Sequence, residues 1–258
     1  MNDDMVILAV GRLDGDEEAR ARALAEILGL TLFDARPRVR APAPRVVATW
    51  RDATEAVPRA VALEKAGFRP LLLAGENVEH DAQRIGVRSF ELLADRVIFG
   101  TRSGESHEVR YSEIALLLAG TASTRQVQAE TTTTRHFSLG KAVVTGGVMM
   151  TSRKTEEKTV VQEAHEPFLH VHATGHPTFL LRETELQYQG LGPLLQPVRL
   201  TNFRCLVGEL RARAAGATYD DRLTSLGGQV ATLGGVLPPD RHLDVALALL
   251  AAYHLPCP

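Results

Sequence analysis

Between residues 89 and 181 the apolar side chains of this chain arrive in short runs, each broken by glycine, proline or a polar cluster. Val97-Ile98-Phe99, Ala142-Val143-Val144, Val148-Met149-Met150, Thr159-Val160-Val161, Phe168-Leu169-His170-Val171 and Thr178-Phe179-Leu180-Leu181 are examples. Runs of that length suit strands and are too short for membrane spans. Residues 89–92 and 96–99 flank an Ala94-Asp95 turn, and Glu108-Val109-Arg110-Tyr111 alternates with period two. Repeated strand and turn signals of this kind imply an antiparallel, barrel-like or sandwich body. Ala115-Leu116-Leu117-Leu118-Ala119 fits either a strand or a buried helix, because periodicity does not separate the two. Residues 121–135 are rich in Thr, Ser, Gln and Arg and read as a mobile loop, a soluble spacer whose four threonines are also open to phosphorylation. A helix closes the body: Phe203, Leu206, Val207, Leu210 and Ala214 share one face, with Thr201 as N-cap.

The first eighty residues follow a different rhythm. Met5-Val6-Ile7-Leu8-Ala9-Val10 reads as a buried strand. Acidic residues at 14–17 then open a helix whose Ala23, Leu24, Ile27 and Leu28 form one face, and Gly29 suits its C-terminal stop. Arg45-Val46-Val47-Ala48-Thr49-Trp50 predicts a second strand. Asp52 with Glu55 resembles a capping box, but Pro58 would delete an internal hydrogen bond there. The helix is therefore expected to begin nearer Ala56 and to stop at Gly67, before a strand at Leu71-Leu72-Leu73.

Two stretches in this region resemble the C-terminal domain of the bacterial ribosomal stalk protein. Gly29-Leu30-Thr31-Leu32-Phe33-Asp34-Ala35-Arg36 is similar to that domain's glycine-leucine-x-leucine-lysine-glutamate-alanine-lysine stretch, and Leu63-Glu64-Lys65-Ala66-Gly67-Phe68 to its last helix and closing strand. The resemblance implies a β-α-α-β-α-β domain over residues 1–75, with a short second helix at about 31–40. Of the positions through which the stalk domain touches translation factors, only Arg36 is matched. Pro37 and Arg38-Val39-Arg40 depart from its pattern. After a polar linker at 76–87, residues 88–215 resemble bacterial pleckstrin-homology-like domains, on Val109-Arg110-Tyr111-Ser112-Glu113-Ile114 and the closing helix. That likeness implies a binding module without catalytic residues. Only Arg96 and Arg102 lie where lipid-binding members carry basic side chains, which argues against phosphoinositide binding. The overall expectation is an α+β protein of two domains.

Residues 216–258 hold a near-repeat, Leu223-Thr224-Ser225-Leu226-Gly227-Gly228-Gln229 followed by Val230-Ala231-Thr232-Leu233-Gly234-Gly235-Val236. It reads as a flexible crossing. A last helix from Pro239 carries Leu243, Leu247 and Leu250 on an apolar face that must cover either the barrel or a partner.

Charge removes further classes. Residues 1–86 hold 12 basic and 14 acidic side chains and the remainder 17 of each, for a net charge of −2. Neither segment carries the footprint of a nucleic-acid binder. The acidic start and two unpaired cysteines suggest a cytoplasmic protein without a secretory leader or membrane span. Cys205 reads as a buried structural thiol and Cys257 as an exposed one.

One cluster invites chemistry: His165-Glu166-Pro167-Phe168-Leu169-His170-Val171-His172-Ala173-Thr174-Gly175-His176. On a strand, His170 and His172 point to one side, and with His165 and Glu166 they would offer zinc or iron an imidazole–carboxylate set. The competing expectation is a solvent-facing strand surface with Leu169, Val171 and Ala173 packed inward. Ser103, Gly190-Leu191-Gly192-Pro193 and Gly140-Lys141-Ala142 lack the surroundings of a hydrolase elbow, a dinucleotide loop or a phosphate loop, and Asp220-Asp221-Arg222 reads as an exposed helix-end turn rather than a cation site. The sequence thus favours a non-enzymatic adaptor needing no cofactor and binding protein partners through Arg36, Leu243, Leu247 and Leu250. The alternative is a metal-dependent enzyme or metal-binding protein built on His165, Glu166, His170 and His172.

Overall fold

The computed structural model describes residues 5–11, 16–40, 42–137 and 151–255, with 124–137 and 151–164 described by backbone alone. The protein is α+β, with one sheet of three strands and one of seven.

The first six elements run β1 (Val6–Val10), α1 (Glu17–Leu28), α2 (Leu32–Arg40), β2 (Arg45–Trp50), α3 (Ala53–Lys65) and β3 (Pro70–Ala74). Both neighbours of β1 pair with it antiparallel, giving the order β2-β1-β3. Its alternating side chains are buried on both faces: Leu8 and Val10 pack with α1, α2 and α3, and Ile7 and Ala9 join a second core. The Asp16 carboxylate caps α1 by accepting from the Ala19 amide, and Gly29 ends it at φ +66°.

Contrary to expectation, α3 starts at Ala53. Asp52 is its N-cap, accepting from Thr54 N–H, and Pro58 sits inside the helix. Both Thr54 and Pro58 are exposed, so the Thr54 carbonyl that proline leaves without a donor belongs to a residue open to solvent, where the penalty is small.

The larger sheet comprises β4 (Ile85–Leu92), β5 (Arg96–Thr101), β6 (Ser106–Arg110), β7 (Ile114–Phe137), β8 (Thr151–Ala173), β9 (Phe179–Arg182) and β10 (Thr218–Leu223). Its order is β10-β7-β8-β9-β4-β5-β6. The ambiguous Leu116–Leu118 run is strand, and residues 121–135, expected as a loop, continue it within β7. The expected strands at 142–144 and 148–150, and Cys257, lie outside the described residues. The sheet is mixed rather than purely antiparallel, because β10 pairs with β7 and β4 with β9 in parallel. Parallel pairing needs a crossover, and α4 (Arg199–Arg213) supplies the one before β10. No pairing joins β10 to β6 among the described residues, so the sheet is open there.

Three further expectations are corrected in this region. Val198, not Thr201, precedes α4 as its N-cap residue, without a side-chain cap. Asp220-Asp221-Arg222 is strand β10, not an exposed turn. The Gly-rich near-repeat folds into α5 (Leu226–Leu233), with the Ser225 hydroxyl accepting from Gly228 N–H.

Residues 1–122 and 166–258 form one compact unit and 123–165 another. The segment at 76–87 is therefore not a boundary between domains. Ile7, Ala9 and Val46 of the small sheet share a core with Leu116, Leu118, Phe168 and Leu180 of the large one. Between them lies α6 (Pro239–His254), whose Val245, Ala246, Leu249 and Leu250 are fully buried. Its apolar face covers the chain itself: Leu247 and Leu250 are core side chains, not partner contacts, and Leu243 packs at the edge of that core. The opposite face of the large sheet is covered by Phe203, Leu206, Leu210 and Ala214 of α4 and its C-cap. Cys205 is half-buried against this second core.

Candidate functional site

Strand alternation puts Phe168, His170 and His172 on one face of β8 and Leu169, Val171 and Ala173 on the other, where they join the core beneath α4. The histidine face does not meet solvent as the plain strand reading required. It lies under α6, so His170 is only 2% exposed. The two rings stand 6.2 Å apart, and His170 packs 5.1 Å from Phe168.

Burial holds both imidazoles neutral. His172 is pushed down to about 4, first by desolvation and then by the Arg84 charge. His170 is driven well below its ordinary value by burial, with Arg84, His172 and Arg182 adding to the effect. His172 Nδ1 lies 3.5 Å from the Thr178 hydroxyl, and its Nε2 is buried without a hydrogen-bond partner.

Arg84, in the segment read as a linker, organises the surroundings. Its side chain is 2% exposed. It donates to Asp81 Oδ1 at 2.6 Å, Asp244 Oδ1 at 2.8 Å and the Glu79 carbonyl at 2.5 Å. Its Nε is buried without a hydrogen bond, with a Glu79 carboxylate oxygen 3.8 Å away. His80 Nδ1 meets Asp244 at 3.1 Å. Arg182 donates to Glu166 Oε2 at 2.8 Å and also to Asp81, while the Thr184 hydroxyl donates to Glu166.

Two clefts open on this network. One of about 300 Å³ is lined by Arg84, His170, His172, Thr178 and small residues of α6. Another of about 160 Å³ is bordered by His170, Arg182, Asp244 and Leu247.

The four proposed metal ligands are not brought together as a set. His165 belongs to the second unit, where its Nδ1 lies 2.9 Å from the Ser123 hydroxyl. Glu166 is engaged by Arg182 and Thr184. Among the described residues no three His, Cys, Asp or Glu side chains are placed to hold a metal ion. A cation beside His170 would also face two guanidinium groups, so the residues present do not suit zinc or iron. His176 stands apart, 3.8 Å from Glu113. Arg36, the partner residue suggested by the stalk resemblance, is exposed and forms an ion pair with Glu18 at 3.0 Å.

Arg84 was missed in the sequence reading. The signal available was an arginine among Glu79 and Asp81 directly before a strand, a pattern that a solvated linker also produces.

No protein-family model, curated protein or solved structure matches the chain significantly. None of its described helices is long and apolar enough to cross a membrane.

Proposed function

We propose that the protein is a non-catalytic adaptor that takes a protein partner on the apolar surface leading into α4. The observation that carries this reading is a cluster of exposed aliphatic side chains within seven residues. Leu194, Leu195, Val198 and Leu200 are 43%, 47%, 58% and 37% exposed. Scattered exposed leucines are ordinary, but a contiguous group beside a groove marks an interaction surface. The groove has a volume of about 480 Å³ and runs along α4, lined by its Leu200, Phe203 and Val207 together with Pro167 and Phe168 of β8. Arg204 and Arg211 border it, an apolar floor with a charged edge, as interfaces commonly have. In this reading the large sheet with α4 is the binding module, in line with the pleckstrin-homology-like resemblance.

The test is affinity capture from native lysate with the full chain and with a Leu195→Glu/Val198→Glu variant, with metal analysis of the same eluates. Both substitutions are at exposed positions and leave the core untouched. The adaptor reading expects a defined protein that co-purifies with the wild type and is lost with the variant. Stoichiometric zinc or iron in the wild-type eluate, or an unchanged set of captured proteins, overturns it.

A further inference from the structure

A cleft of about 560 Å³ opens at the C-terminal end of β1, remote in sequence from the histidine strand. Arg20 of α1, Arg38 and Arg40 of α2, Arg45 of β2 and Arg222 of β10 line it, and among the described residues no acidic side chain does. Three of these arginines are engaged elsewhere, two of them by carboxylates. Arg40 pairs with Glu17, Arg222 with Asp220 at 2.8 Å, and Arg20 Nε donates to the Asp16 carbonyl at 3.3 Å.

The other two differ. Arg38 donates to the Val47 carbonyl and Arg45 to the Pro37 carbonyl at 3.1 Å. Backbone carbonyls orient a guanidinium without neutralising it. Among the described residues no carboxylate lies within ion-pair distance of either. Arg45 Nε is moreover buried with no hydrogen-bond partner. Burial and the Arg38 charge both press on Arg45. Two adjacent cations held this way, one with an unused buried donor, are costly unless an anion completes them.

From this geometry we infer that the cleft is a binding site for a small molecule carrying a phosphate monoester, whose dianion faces Arg38 and Arg45. The charge balances, two guanidinium groups without a carboxylate partner among the described residues against one dianion. Planar guanidinium forks also match phosphate oxygens two at a time. Phe68 and the Tyr253 ring complete the wall, giving the organic portion of the ester an apolar surface. Gly11 lets the chain pass close by. A Cβ there would stand 3.1 Å from the Tyr253 ring and 3.3 Å from Arg69. The site is independent of the apolar surface beside α4.

The experiment is calorimetric titration of the full chain with inorganic phosphate and with ribose 5-phosphate, at matched ionic strength, alongside amide NMR spectra of the wild type. Saturable binding of both probes is expected, with amide shifts concentrated at Gly11, Arg45 and Tyr253. Arg38→Gln and Arg45→Lys should each weaken it about tenfold or more, since the second keeps charge but loses the fork. Arg102→Gln, on the far strand turn, should bind as the wild type does. The inference is overturned if the wild type binds neither probe, or if the amide shifts fall elsewhere. It is also overturned if folded Arg38→Gln and Arg45→Lys bind unchanged, or if the protein binds vesicles containing phosphatidylinositol phosphate but neither soluble probe. The NMR arm uses the wild type alone, so a variant that fails to fold does not rescue the idea.

Discussion

Protonation of the buried histidine pair should weaken the fold in mild acid, and His172 sets the scale. Its pKa is about 4 in the folded protein, against about 6.5 for an unperturbed imidazole. The unfolded chain therefore binds a proton that the folded protein refuses throughout that interval. Stability from this group is complete above pH 6.5 and is lost as the pH falls towards 4. The shift corresponds to roughly 3 kcal/mol at about 1.4 kcal/mol per pKa unit. His170, more deeply buried, acts in the same direction. Carboxylates that lose their partners in acid also contribute, so a paired measurement is needed. Urea unfolding of wild type and His172→Gln at pH 7.5, 6, 5 and 4.5 isolates the imidazole. The variant should start less stable at pH 7.5 and should lose about 2–3 kcal/mol less on acidification. Parallel pH profiles for the two proteins would refute the argument, as would an NMR titration placing His172 near its ordinary value.

Other consequences concern packing and backbone. Leu250→Ala empties a fully buried position of α6 between the two sheets and should cost about 2–5 kcal/mol in chemical denaturation. Gly234 and Gly235 both have positive φ, but only at Gly234 would a Cβ collide with a backbone carbonyl, that of Val46. Gly234→Ala should therefore destabilise clearly more than the roughly 1 kcal/mol expected of Gly235→Ala, as read from their thermal midpoints. Asp52→Ala removes the cap that starts α3 and should cost about 1 kcal/mol, while Asp52→Asn should retain most of it.

Locally determined features were legible in the residues. The run from Met5 to Val10 is unbroken and apolar because β1 is covered on both sides, and Gly29 ends α1 because a positive φ is needed there. Pro58 misled because its penalty is small where the freed carbonyl is in water, and exposure is not written in a proline. The segment at 218–233 misled for the opposite reason. Asp220 is buried with Arg222 and His254 as partners, so a charged stretch is strand β10, and tertiary contact outweighs the weak helix propensity of the glycines in α5.

Sequence alone determined the alternation that sends Leu169, Val171 and Ala173 one way and His170 and His172 the other, since side chains on a strand alternate whatever surrounds them. Only the tertiary structure decided that the histidine side is covered. The element that covers it, α6, lies some seventy residues further along the chain, and burial is a property of what arrives from elsewhere. The arginine cleft is the same case. Arg20, Arg38, Arg45 and Arg222 are unremarkable where they stand in the chain, and their charges act together only because a helix pair, an edge strand and β10 converge at one end of β1.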